Sequence, residues 1–424
     1  MHTEQQERHA LTQDEQWLDA YDDVHMHVFG KPLRVLDHGE GTHVWDVDGN
    51  EYLDFLAGIA VNALGYAHPA WVKAVADQAA KAAHVSNYFA TVPQIELAER
   101  LIRLAGAPEG SHVYFGNSGA EANEAALKMA KLYGRLLQDR QADDRPYRIL
   151  ALTHGFHGRT MGALSATWKP VIREPFEPLV PNFEFVEAND AEAMADAFGD
   201  EAKGPVAAVI MELIQGEAGV RPLDADFVRT VRELCDTHEA LLIVDEVQTG
   251  IGRTGAWFAF QREDLGGIVP NIVTFAKGVA GGFPMGGMIS FGQELSDLFS
   301  PGRHGSTFAG NPMGAAAALA TLDTIEREGL VSAAETRGAY LRQGIMALDN
   351  TLFRAVRGRG LLDAIELAHP CAHAAMAWAL DHGLIVNACD PSTLRLAPPL
   401  VVSPQDIDDA LIILGQMPSD LPDD

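Results

Sequence analysis

VYFGNSGAEANEAALKMAKLYG, residues 113–134, reads as a strand, a turn and a helix in that order. An apolar run enters Gly116-Asn117-Ser118-Gly119-Ala120, and Ala122, Ala126, Met129 and Tyr133 then recur at helical spacing. Glycines at a strand-to-helix turn let the backbone approach a ligand closely. The first turn of the helix has free N–H groups and the positive end of the helix dipole, which suits a phosphate. Ser118 adds a hydroxyl. A plain Gly-Ser helix cap accounts for the same residues equally well, and no GK[ST] follows, which excludes a P-loop.

On either side the same alternation continues. HVYF (112–115), RILAL (148–152), VAAVIMEL (206–213), LLIVDE (241–246) and IVTFA (272–276) read as strands buried on both faces. Helical patterns lie between them, notably at 121–137 and 225–238. This predicts an α/β fold, a mostly parallel sheet between helices. After about Asn311 the pattern changes to a long helical tract, then VRGRGLLDAIEL, a helix and LIVNACDPSTLRLAPPLVV, which predict a smaller α+β C-terminal domain. Near the start, GTHVWDVDGNEYLDF (41–55) carries a hairpin turn at Asp-Gly-Asn and is expected to pack with that C-terminal domain. The expected division is an N-terminal segment, 1–60, a large domain, 61–310, and a small domain, 311–424.

Composition narrows the function classes. The 424 residues are 47% hydrophobic and 21% charged, an ordinary globular balance that argues against disorder. Lys and Arg number 31 against 59 Asp and Glu, a net charge of −28. A surface this acidic repels nucleic-acid phosphates and anionic lipid. Three cysteines, Cys235, Cys371 and Cys389, form no CxxC pair, which fits a reducing compartment and neither a disulfide framework nor structural zinc. The N-terminal residues resemble neither a signal peptide nor a transit peptide, and no long uncharged apolar run appears. A soluble, cytoplasmic protein is expected.

Single residues then carry the chemistry. The literal G-x-G-x-x-G at 250–255 is separated from the strand before it by Glu246-Val247-Gln248-Thr249, and no apolar helix start follows, so it fails as a dinucleotide motif. His154 and His157 have an HxxH look without further ligands nearby, so no metal site is expected. Asp245 closes an apolar strand at the sheet edge where ligands of open α/β sheets collect. Lys277 follows IVTFA and precedes a flexible GVAGGFPMGG. A lysine there is commonly just a solvated strand end, but in a partly dry pocket its amine can form a Schiff base. Lysine, carboxylate and phosphate cradle together are the set that pyridoxal phosphate needs.

With these residues assembled, the chain resembles the class III aminotransferases, of pyridoxal-phosphate fold type I, over nearly its full length. The resemblance rests on eight ordered stretches: FLAGIAVNALGYAHP, GNSGAEANEAALKMAK, GFHGRTMGALSAT, ELIQGEAGV, LLIVDEVQTGIGRTG, TFAKGVAGGFPMGG, HGSTFAGNP and LRLAPPLVV. GIAVNALG and FHGRTMGALSAT are most similar to the acetylornithine and succinylornithine branch.

The resemblance implies that Lys277 holds the cofactor as an imine and later moves a proton. It makes Asp245 the partner of the pyridine nitrogen and Gln248 that of the phenolic oxygen. Ser118, Gly119 and Ala120 would hold the phosphate, Thr307 reaching in from a second subunit, and Phe156 would stack on the ring. Arg159 would pair with a substrate carboxylate. Glu217 would neutralise Arg395 in one half-reaction and release it in the other, since an unpaired buried arginine is costly. The implied reaction carries the δ-amino group of N2-acetylornithine to 2-oxoglutarate, a step of arginine biosynthesis, in a homodimer with sites at the subunit interface. Ornithine, N-succinylornithine and 4-aminobutyrate remain open as donors, and Ile59, where the ornithine enzymes usually have tyrosine, favours an acylated one. One departure is Leu213 after Glu212, where the family usually has proline.

Overall fold

A computed structural model describes residues 11–141 and 145–424. Near the N-terminus β1 (Leu36–Glu40), β2 (His43–Asp46) and β3 (Glu51–Asp54) form an antiparallel meander. The central sheet takes β4 (His112–Gly116), β5 (Arg148–Leu152), β6 (Phe183–Val186) and β7 (Val206–Met211). The short hairpin β8 (Ile214–Gln215) and β9 (Arg221–Pro222) follows, and the sheet resumes with β10 (Leu241–Asp245), β11 (Ile272–Phe275) and β12 (Gly286–Ser290). Its order is β4-β12-β11-β10-β7-β5-β6, and only β12 runs against its neighbours.

Period-two alternation on the central strands explains what the sheet holds on each face. Leu241 and Ile243 of β10 pack with Ala126, Met129 and Ala130 of the helix Gly119–Gln141. Leu242 and Val244 point into the larger cluster on the opposite face. Each such side chain, fully buried, contributes roughly 1.5–3 kcal/mol. Helices on both faces are therefore required, as the continuous apolar strands predicted.

Two strands escaped the sequence reading, and one was read too simply. β6, FEFV, is short and half polar because it is an edge strand. β12 begins inside the glycine run read as flexible. A Cβ on Gly287 would come 2.2 Å from the Tyr114 carbonyl oxygen, and one on Gly286 would come 2.5 Å from that of Ser118. The glycines are there for backbone approach in a strand. β4 is not buried on both faces: it lies at the other edge, with His112 exposed and only Phe115 and Gly116 buried. The G-x-G-x-x-G stretch forms turns and opens no helix.

The C-terminal part carries an antiparallel sheet of β13 (Phe353–Arg359) and β14 (Leu362–Leu367), with β16 (Asn387–Asp390) and β17 (Thr393–Leu396) beyond the two-residue β15 (Leu384–Ile385). Its order is β13-β14-β17-β16. β15 leaves this sheet and pairs in parallel with β3, so the N-terminal meander and the C-terminal region share a sheet. The helix Pro312–Arg327, capped by the Asn311 side chain on Met313 N and Gly314 N, packs its alanines against Pro69–Lys81 and Val92–Ala105.

Candidate active site

The fold brings the carboxyl ends of β10 and β11 and the start of Gly119–Gln141 around one cavity of about 480 Å³. Asp245 continues the Leu241/Ile243 face, which is the face that this helix covers, so its carboxylate meets Asn123 one turn into the helix. Asp245 Oδ2 accepts from Asn123 Nδ2 at 2.7 Å and from His157 Nδ1 at 2.8 Å. Its Oδ1 accepts from Val247 N at 3.0 Å and from Thr274 Oγ1, the cross-strand neighbour on β11, at 3.3 Å. The carboxylate is 4% exposed and oriented from four sides.

Lys277 lies two residues beyond β11 and lines the same cavity. Its φ of 43° is left-handed, a conformation that costs a lysine about 1–3 kcal/mol and persists only where the surroundings impose it. Burial, aided by the charge of Arg395, brings its ammonium down to about 8 against the pull of Glu217, Glu212 and Asp245. Such a lysine has an appreciable neutral fraction near physiological pH.

At the helix start, Ser118 Oγ accepts from Glu121 N (3.1 Å), while Glu121 Oε2 accepts from Asn117 N (2.6 Å). The plain-cap reading therefore describes a real contact, and the hydroxyl proton of Ser118 is still free to be donated. Ser118, Gly119 and Ala120 all line the cavity. A Cβ on Gly119 would lie 2.7 Å from Val247 Cγ1, so only glycine fits this wall.

The loop between β8 and β9 carries Glu217, and β17 supplies Arg395. Leu394 and Leu396 join the core, which turns Arg395 to the other face of the strand. Arg395 is 1% exposed, and its Nη1 donates to Glu217 Oε1 at 2.6 Å, Gln248 Oε1 at 3.2 Å and the Gly216 carbonyl at 3.4 Å. Nη2 donates to Asn387 Oδ1 at 2.7 Å. Burial would raise the Glu217 carboxyl, but Arg395, with help from Lys277 and the Gln248 amide, holds it below the usual carboxylate range.

Phe156 is half-buried in the cavity wall, and Arg159 is exposed at its mouth, its guanidinium carbon 5.9 Å from the Phe156 ring centre. Thr307 is exposed and stands outside the cavity of its own chain, where its carbonyl accepts from Asn87 Nδ2 at 3.4 Å. Ile59, used above to argue for an acylated donor, does not line the cavity, whereas Val61 does. Leu213 is fully buried, and its carbonyl accepts from Leu223 N at 2.9 Å.

Of the lining residues not singled out from sequence as site residues, three bear directly on the carboxyl groups of the site. Asn123 and His157 orient Asp245, and the His157 Nε2 is buried without a partner. Glu212 accepts from Phe156 N at 2.8 Å and Gly216 N at 3.2 Å, and burial, reinforced by Asp245 and opposed by His157, pushes it up to about 7. His154 is exposed and His157 buried, so the HxxH pair is split. Among the described residues no group of three or more potential ligands could hold a metal ion.

A parallel-sheet edge, a helix N-terminus, a buried carboxylate and a lysine meet at this site, and the chain belongs to the class III aminotransferases: the family model "Aminotransferase class-III" matches residues 26–417. It is 70% identical to the acetylornithine aminotransferase of Bifidobacterium longum over the whole of both chains. The acetylornithine aminotransferase of Mycobacterium bovis is 46% identical over 91% of this chain and 92% of its own. Among solved structures, the ornithine aminotransferase of Toxoplasma gondii superposes with a TM-score of 0.88 at 30% identity, covering 96% of this chain and 95% of its own. The acetylornithine aminotransferase of Elizabethkingia anophelis superposes with a TM-score of 0.82 at 33% identity, covering 96% and 99%.

Proposed function

We propose that this aminotransferase carries the δ-amino group of N2-acetylornithine to 2-oxoglutarate, giving N-acetylglutamate 5-semialdehyde and glutamate, with pyridoxal 5'-phosphate as its cofactor. The observation that carries the reading is the shared cavity: Lys277 and Asp245 open into it at the N-terminus of Gly119–Gln141, beside a buried Arg395 paired with Glu217. The donor is taken from the relatives named acetylornithine aminotransferase.

The residues present fit the cofactor. Gly119 keeps the wall open where a Cβ would close it, and a helix N-terminus offers donors to a phosphate. When bound, pyridoxal phosphate supplies a carbonyl carbon for imine chemistry and a ring that can hold an electron pair. Ser118, Gly119 and Ala120 would hold the phosphate. Asp245 would offer its oriented carboxylate to the ring nitrogen, Gln248 its amide to the phenolic oxygen, and Phe156 would pack against the ring. Lys277 Nζ, with its lowered pKa, would take the proton from the substrate carbon that bears the amine and carry it away from that carbon. Arg159 binds a substrate carboxylate at the mouth. Glu217 covers Arg395 while the donor is bound and leaves it when 2-oxoglutarate brings a carboxylate of its own, so that the two halves run as ping-pong steps.

The same reading assigns Thr307 to the phosphate site of a second copy of this chain, making a homodimer with sites at the subunit interface. It divides the chain at 1–60, 61–310 and 311–424, supported by the pairing of β3 with β15. It places the enzyme in the cytoplasm, without nucleic-acid or membrane partners. No helix among the described residues is long and apolar enough to cross a membrane.

Two measurements test it. Lys277→Ala should abolish the visible Schiff-base absorption of the purified enzyme, and a band that survives would remove the lysine from its role. In a donor panel with 2-oxoglutarate, N-acetylornithine should lead N-succinylornithine, ornithine and 4-aminobutyrate by kcat/KM. If ornithine outruns both acylated donors, the substrate assignment is wrong.

A further inference from the structure

We infer that Asn387 is a specificity-determining positioning residue: it holds the Arg395 guanidinium in place while Glu217 moves, and so sets the affinity for the carboxylate on the acceptor's keto carbon, which the donor lacks. The inference rests on the reading of Glu217 and Arg395 given above. Its basis is how the contacts are shared between the two ends of the guanidinium. Nη1 has three acceptors: Glu217 Oε1, Gln248 Oε1 and the Gly216 carbonyl. Nη2 has one, Asn387 Oδ1 at 2.7 Å, and Nε is buried with no partner.

When Glu217 leaves, Nη1 loses its shortest and only anionic contact, keeping acceptors at 3.2 and 3.4 Å. The rotation of the guanidinium is then fixed mainly from the Nη2 end, by Asn387. The two residues face each other across the β16–β17 ladder, so the contact is built into strand register and does not depend on a mobile loop. Glu217, by contrast, sits in the turn between β8 and β9, and its side chain is 37% exposed.

The chemistry of the partner matters as much as its place. An amide oxygen orients the guanidinium without neutralising it, leaving the full positive charge for an incoming carboxylate. A carboxylate at 387 would be a partner that cannot leave, and Arg395 would stay paired in both half-reactions. Neutral asparagine is therefore the residue type that allows Glu217 to act as a gate.

The test separates acceptors that differ by one carboxylate. With the holoenzyme, single-turnover rates of the amine-loaded form are measured against 2-oxoglutarate and against succinic semialdehyde, which keeps the distal carboxylate and lacks the one on the carbonyl carbon, and the donor half-reaction is followed separately. Asn387→Asp should raise the KM for 2-oxoglutarate about tenfold or more, the size of a charge-assisted hydrogen bond. Succinic semialdehyde use and the donor half-reaction should change by less than about twofold, since neither calls on a free Arg395. Asn387→Ala should show the same selective loss to a smaller degree, and Asn387→Ser, which keeps a neutral oxygen, should recover part of it. Equal losses with both acceptors, or none with either, would overturn the role of Asn387. Arg395→Gln identifies which idea has failed: if it too leaves the preference for 2-oxoglutarate over succinic semialdehyde unchanged, the Glu217–Arg395 reading falls. If it abolishes that preference while Asn387→Asp does not, only the inference on Asn387 falls.

Discussion

Replacing Lys277 with methionine should stabilise the cofactor-free protein, and by an amount that depends on pH. The native fold lowers this ammonium from 10.5 to about 8, chiefly by burial. Below pH 8 the lysine is charged in both folded and unfolded chains, and the fold bears the full cost of holding that charge in the cavity. One pKa unit corresponds to about 1.4 kcal/mol, so this lowering amounts to roughly 3–4 kcal/mol against stability at pH 7. Between pH 8 and 10.5 the unfolded chain binds the extra proton, stability of the wild type rises with pH, and the cost disappears. Lys277→Met, close in length and uncharged, avoids the cost at every pH while keeping the packing. Urea unfolding of both proteins, stripped of cofactor and held at one protomer concentration, should show the variant ahead by about 3–4 kcal/mol at pH 6–7. The gap should close by about pH 10.5. A variant less stable than wild type at pH 7, or a gap that ignores pH, would refute the claim that the cavity destabilises the charged lysine. Such a cost is expected where a site is built for function at the expense of stability.

Two other substitutions test neighbouring parts of the argument. Glu246, 0% exposed, accepts from Phe260 N at 2.8 Å and from Thr249 Oγ1, and burial, with Asp245 adding, pushes its carboxyl up to about 7. The stability linked to its proton is complete below pH 4.5 and is lost as pH rises through 7, so Glu246→Gln, which can satisfy both partners, should be more stable than wild type by about 3–4 kcal/mol at pH 8 and about equal at pH 4.5 in denaturant titrations. Gly158 has φ 136°, and a Cβ there would lie 2.9 Å from Ala120 Cβ and 3.0 Å from Ala163 Cβ, so Gly158→Ala should cost about 2 kcal/mol or more in the same assay and weaken cofactor retention by displacing the Ala120 wall.

What was legible in the sequence followed from local patterns with a fixed period. Strands of continuous apolar residues gave the central sheet, and the residues that end two of them, Asp245 and Lys277, were visible as polar groups where the pattern stops. GNSGA was visible as a strand-to-helix turn, but a plain helix cap explained it equally well, and only its company with Asp245 and Lys277 pointed to a phosphate. The contacts around Asp245 were not legible, since Asn123 and His157 are 122 and 88 residues away in the chain. Asn123 looks like any polar residue on a helix until the sheet face is known. Glu212 drew notice only through its neighbour Leu213. β12 was missed because glycines, which weaken a strand, were needed there for close backbone approach. Asn387 carried no signal of its own, because its meaning lies in cross-strand register with Arg395.

The charge of the site requires a closer account than its residue types suggest. A chain of net charge −28 that handles carboxylates and a phosphate needs a local excess of positive charge, and Lys277, Arg159 and Arg395 were expected to provide it. The structure sets three carboxyl groups, Asp245, Glu212 and Glu217, around them, so the count alone supplies no excess. The carboxyls differ in what holds them. Asp245 is bound by four donors, and Glu212 is raised to about 7, so that near neutrality it carries only part of its charge. Glu217 is held low by Arg395, and it alone of the three sits on a partly exposed turn. Positive potential at the acceptor end therefore arises by removing Glu217 from Arg395 and not from a standing surplus of cations. Such a site is near neutral toward a donor that brings an uncharged chain, and becomes cationic only where a carboxylate arrives to replace the one that left. The acidic surface is compatible with this because the charge that matters is switched within a few ångströms, at a buried arginine screened far less by salt than the surface is.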